Sequence, residues 1–138
     1  MPQIAKVAVS AANYAIDKPY DYLLPDGTDA AVGSRVLVPF GRGNRLTEGM
    51  ILSLERKTPE KALKAVREVL EPEPVCSERE IRLALWMRQR YFCTFYDAIR
   101  TILPAGVWYR YRQFWKLADY AGEDALSEKA KPLYALLS

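Results

Sequence analysis

Over the first seventy residues hydrophobic positions recur every second residue, in short runs broken by glycine and proline. "IAKVAV" puts Ala5, Val7 and Val9 on one face. In "PYDYLL", Tyr20, Tyr22 and Leu24 point one way and Asp21 and Leu23 the other, while "SRVLVPF" aligns Val36, Val38 and Phe40. Alternation with a period of two marks half-buried strands. "GMILSL" reads as a fourth short strand and "LKAVREVL" as a fifth. Pro25-Asp26-Gly27 supplies turn chemistry, because proline fixes φ and glycine tolerates positive φ. Pro39 makes the end of its strand irregular or an edge. Four or five short strands with such turns predict a small β-barrel.

After residue 76 the period changes. In "SEREIRLALWMRQRYF", Ser77 and Glu80 form a capping box ahead of an apolar run. Ile81, Ala84 and Leu85 make a helical stripe, with Arg82, Arg88 and Arg90 expected mostly on other faces. "YDAIRTIL" predicts a second short helix, stopped by Pro104 and Gly106. Between the two parts, "EPEPVCS" is a stiff connector. Beyond Gly106, "VWYRYRQFWKL" is rich in aromatic and basic residues, and "KPLYALLS" opens a helix that is cut short. The fold class expected is mainly β with helices (α+β). Residues 1–106 form an OB-like barrel followed by two helices, and residues 107–138 a linker and the truncated start of a second domain.

One residue conflicts with this pattern. Asp21 sits inside the "PYDYLL" strand, although aspartate forms strands poorly and is costly to bury without partners. The functional reading is a carboxylate placed to accept hydrogen bonds; the plain one is a solvated strand residue.

Composition narrows the chemistry. Half of the residues are hydrophobic and 27% are charged, a globular balance. There is no histidine, which removes Ser-His-Asp and Cys-His nucleophilic arrangements. Cys76 and Cys93 form no C-x-x-C pair, so no zinc site is expected, and packing accounts for both thiols. No apolar run approaches the roughly 18 residues that span a membrane. The N-terminus does not read as a secretory signal, which points to the cytoplasm. The net charge is +3, but residues 1–60 hold seven basic and seven acidic side chains. Any nucleic-acid binding by that half must come from local contacts rather than from bulk charge.

The ordered set "PYDYLLPDG", "GSRVLVPFGRG", "TEGMILSL", "LKAVREVL", then a helix and "LPAG", resembles the N-terminal part of the PriA family of bacterial replication-restart DNA helicases. The likeness covers about residues 4–106. A Y-D-Y-x-x-P-x-G strand-turn followed shortly by G-x-R-V-x-V-P-F-G is its most specific part. The resemblance implies a DNA-binding barrel that captures the 3′-OH end of a nascent leading strand at stalled forks, without base preference. It further implies single-stranded and branched DNA, primosome proteins and single-strand binding protein as partners, in the bacterial cytoplasm at the nucleoid.

By the same resemblance, Tyr20, Asp21, Gly41 and Lys64 are the 3′-end binding residues, with Arg42 and Arg45 as possible backbone contacts. Tyr20 would pack on base or sugar, Asp21 would accept from the terminal hydroxyl, Gly41 would admit close backbone approach, and Lys64 would hold a phosphate or sugar oxygen. The full-length family is an ATP-dependent 3′–5′ helicase whose later domains, beginning with a winged helix, use ATP, Mg and Zn. "GRGNRLTEG" lacks the Gly-Lys-Ser/Thr ending of a phosphate-cradling loop, so this segment is expected to be no enzyme, with no catalytic residue and no cofactor of its own. The chain departs from the family at Cys93-Thr94-Phe95, where a loop glycine is common. The competing function is a protein-interaction barrel that docks helicase lobes or primosome partners with little DNA contact. The aromatic and basic tract after Gly106 fits base stacking or interdomain docking.

Overall fold

The computed structural model describes residues 1–71 and 73–108. The tract from Tyr109 onward, and with it the expected start of a winged-helix domain, lies outside the described residues. Five strands come first: β1 Gln3–Val9, β2 Tyr20–Leu24, β3 Arg35–Phe40, β4 Arg45–Arg56 and β5 Glu68–Val69. Two helices follow, α1 Glu78–Arg90 and α2 Phe95–Ile102. The strands form one antiparallel sheet in the order β2-β1-β4-β3-β5, with a bulge in β1 between Lys6 and Val7. The mainly β fold with two helices is the one the alternation and the later helical period predict.

The edges of this sheet are joined by one stretch of chain. Leu23 N–H donates to the Lys64 carbonyl at 2.9 Å, and Val66 N–H donates to the Leu23 carbonyl at 2.9 Å. From the very next residue the same stretch has crossed to β3, where Arg67 N–H donates to Leu37 O and Leu70 N–H to Arg35 O. The expected fifth strand is therefore divided, its first half on β2 and its second on β3. Pairing Leu23 on one edge and Arg35–Leu37 on the other joins the two edges of the sheet and shortens the exposed edge of each. Pro39 pairs with Leu46 of β4 but lies beyond the two residues of β3 that β5 covers, where a missing N–H interrupts no second ladder.

The inward faces are those the alternation marks. Val7, Tyr22, Leu24, Val38, Ile51 and Val66 are buried together inside the barrel. A second core lies on the opposite face of β4, where Met50 packs with Cys76, Ala84, Ala98, Ile99 and Leu103. Each fully buried aliphatic side chain contributes about 1.5–3 kcal/mol, so the helices are held by hydrophobic area rather than by propensity.

Both helices begin in capping boxes. Ser77 and Glu80 form the expected one, and Thr94 with Asp97 forms another that starts α2 at Phe95. The Cys93-Thr94-Phe95 departure is thus itself a helix start, with Phe95 buried. Two readings of α1 need correction. Leu85 is 41% exposed, and the buried face runs through Ile81, Ala84 and Met87 instead. Arg88, expected at the solvent, faces inward: its guanidinium donates to the carboxylate and to the backbone carbonyl of Asp17. The buried Asp17 carboxylate also accepts from Phe95 N–H at 3.0 Å, tying the β1–β2 loop to both helices.

Candidate functional site

Around one open cavity of about 690 Å³ the fold collects Tyr20, Asp21, Gly41, Arg42 and Lys64. Three separate pieces of chain supply them. β2 carries Tyr20 and Asp21, the β3–β4 hairpin carries Gly41 and Arg42, and the closing stretch carries Lys64. The two backbone bonds at Leu23 set Lys64 beside Asp21. Arg45, at the start of β4, is exposed and does not line this cavity.

Alternation on β2 decides the facing. Tyr22 points into the barrel, and its hydroxyl donates to the Pro39 carbonyl at 3.2 Å. Burial, reinforced by Tyr20, pushes the Tyr22 phenol up to about 12, so this group stays protonated and structural. Asp21 points the other way. Its Oδ1 accepts from Lys6 Nζ at 3.3 Å, directly across the β1–β2 ladder. The side chain is 36% exposed and borders a second cavity of about 270 Å³ as well. One carboxylate oxygen is thus engaged by Lys6, and carboxylate chemistry offers the other as an acceptor. The strand carboxylate has a cross-strand partner, a feature that alternation alone does not disclose.

Tyr20 is fixed at both ends. Its hydroxyl donates to the Ile16 carbonyl at 2.7 Å, its ring meets Phe40 edge-on at 5.1 Å, and the Lys18 ammonium lies 5.7 Å from the ring centroid. A tethered ring of this kind presents a stacking surface at little entropic cost. Gly41 adopts φ +70 at the hairpin tip, and a Cβ there would meet nothing within 4 Å. Glycine is required by the backbone, and the space above it is open. Lys64 Nζ donates to the Gly41 carbonyl at 2.6 Å, so an ammonium spans the mouth of the cavity.

Phe40 and Asn44 also line the cavity, and Asn44 has φ +50 in the hairpin turn. The alternation places Phe40 on a strand face and does not single out Asn44 or Lys6. A glycine-rich loop between two strands signals the tip, but only the register brings Lys6 opposite Asp21. Among the described residues, no group of three or more His, Cys, Asp or Glu is placed to hold a metal ion. No helix of the described residues is long and apolar enough to cross a membrane.

Residues 6–104 match the family described as the 3′DNA-binding domain (3′BD) of PriA. The chain is 30% identical over 121 residues to the replication restart protein PriA of Bacillus subtilis, a match over 85% of this chain and 15% of that protein. It is 27% identical over 132 residues to the replication restart protein PriA of Haemophilus influenzae, covering 91% of this chain and 18% of that one. The chain therefore spans less than a fifth of the length of these curated relatives.

Proposed function

Since the chain belongs to the family of PriA 3′DNA-binding domains, we propose that its cavity captures the 3′-OH end of a DNA strand, without base preference, for replication restart. The observation that carries this reading is the convergence of Tyr20, Asp21, Gly41 and Lys64 on one cavity from three separate pieces of chain. Asp21 accepts the hydrogen bond of the terminal hydroxyl. A charge-assisted bond of this kind is among the stronger ones. If the strand continued, the next phosphate would meet the carboxylate at close range, so an unextended end is favoured twice over. The Tyr20 ring packs on base or sugar, which is tolerant of sequence. Gly41 lets backbone approach the nucleotide. Lys64 exchanges its bond to the Gly41 carbonyl for one to a phosphate or sugar oxygen. Arg42, exposed on the hairpin, follows the backbone.

In the whole protein this segment would serve an ATP-driven helicase in the bacterial cytoplasm, alongside primosome proteins and single-strand binding protein. Two contacts favour the alternative, a barrel that docks protein. Asp21 and Lys64 both already have partners within the chain, Lys6 and the Gly41 carbonyl.

Binding of short single strands that end in 3′-OH or 3′-phosphate separates the two readings. End capture predicts a preference for the hydroxyl end of at least ~1 kcal/mol, the scale of a hydrogen bond to a charged group. Equal affinity for both ends, or no binding to either, would favour the docking barrel.

A further inference from the structure

The cavity at Asp21 has neighbours on two sides, and they differ in chemistry. On one side, the smaller cavity shares Asp21 and is bordered by Lys57, Glu60 and Lys61. On the other, a cavity of about 560 Å³ shares Asn44 and Lys64 with the first. Pro25, Pro39 and Leu46 give it an apolar lining, Arg67 also borders it, and no carboxylate lines it. Leu46 is 44% exposed there, and Arg67 is exposed.

Strand polarity selects between them. With the terminal hydroxyl at Asp21, the 5′-phosphate of that nucleotide leaves the other face of the sugar, and the role proposed above for Lys64 would turn it toward the Asn44–Lys64 side. Reaching the Lys57 cavity would carry a phosphate past the Asp21 carboxylate, with Glu60 beyond it. Both sides carry two cations, but the Asn44–Lys64 side has no carboxylate in its lining and is the more apolar of the two, the pairing that suits a phosphate backbone with bases stacked against it.

We propose that this second cavity is a binding subsite for the nucleotides just upstream of the strand end, with Arg67 holding a phosphate and the Leu46–Pro39 lining supporting a base. The assignment rests on the end-capture reading and extends it along the strand. The Arg67 backbone is fixed by its N–H bond to Leu37 O at 2.8 Å, which holds the base of an exposed side chain. Arginine suits the task because its planar fork matches phosphate oxygens.

The test uses the 138-residue chain and a labelled 3′-OH single strand, displaced by unlabelled 3′-OH dinucleotides and tetranucleotides. The wild-type chain should bind the tetranucleotide more tightly than the dinucleotide. Arg67→Ala should weaken tetranucleotide binding roughly threefold to tenfold, the range of an ordinary net hydrogen bond, and change dinucleotide binding less than about twofold. Its salt slope should fall by roughly 0.7–1. Arg67→Lys should recover part of the loss. Preference for 3′-OH over 3′-phosphate should be the same in Arg67→Ala as in wild type, which separates this subsite from the end-capture site. The subsite is refuted if the wild-type chain gains nothing from added length, if Arg67→Ala retains that gain, or if both lengths weaken equally. Failure of end capture itself would show differently, as loss of hydroxyl preference in the wild-type chain.

Discussion

An aspartate in the middle of a strand is explained by the residues around it. Lys6 stands opposite Asp21 in the ladder and donates to one oxygen, while the side chain borders open cavities on both sides. Asp21, Gly41 and Lys64, which the fold brings to one cavity, were singled out by the motifs that carry the family likeness. Lys6 and Asn44 were not, because one depends on strand register and the other on the conformation of a hairpin tip. Arg88 was misread for a related reason. Helical spacing says which face a residue occupies, but not that a buried carboxylate 71 positions earlier waits beside that face. Asp17 takes bonds from both Arg88 and Phe95 N–H, so its loss leaves a guanidinium and a buried amide without partners. Asp17→Ala should destabilise the fold by roughly 3 kcal/mol in urea unfolding. A change under about 1 kcal/mol would mean that solvent takes over those bonds.

Elements followed the sequence where local rules act alone. The first helix starts where Ser77 and Glu80 place it, and the inner faces of β1, β2 and β3 are those of the alternation. Elements departed from it where tertiary contacts decide. Leu85 matches the helical period but lies off the buried face, which runs through Ala84 and packs with Met50, Ala98 and Ile99. The run "LKAVREVL" has strand composition throughout, yet only two of its residues form β5, since the chain must leave β2 and cross to β3 within a few residues. Gly33 shows the same tertiary control over one backbone position. It has φ +88, and a Cβ would lie 1.6 Å from the Cys76 carbonyl oxygen. Its N–H donates to Ile51 O, and its carbonyl accepts from Val75 and Cys76. Only glycine fits where the connector to the helices presses against the barrel.

At the scale of the whole described molecule, one closing stretch does two things: it joins the sheet edges and delivers Lys64 to the cavity. Fold and site therefore depend on the same hydrogen bonds at Leu23. The short strands and turns predict a barrel but not which residues close it, because the closure joins residues more than forty positions apart. Both cores also bury weak acids. Burial pushes the Cys76 thiol from its ordinary 9.0 up to about 11 and the Tyr22 phenol from 10.0 up to about 12. Burial likewise raises the Tyr96 phenol, with the Glu48 carboxylate adding to it. For an acid whose folded value is raised, the unfolded chain releases its proton first as pH rises. Stability is therefore full below about 9 and falls as pH climbs toward 12. Urea midpoints should decline steadily across that window. A flat profile would show that these groups ionise without unfolding.

The proposed contact between Asp21 and a terminal hydroxyl is tested most directly by a double-mutant cycle. Single strands ending in a 3′-hydroxyl or in a 2′,3′-dideoxy sugar are titrated against the wild-type chain and Asp21→Ala. The account predicts that removing the hydroxyl costs the wild-type chain at least ~1 kcal/mol and costs Asp21→Ala nothing measurable. An equal cost in both proteins would contradict it, because the hydroxyl would then be recognised by some other group.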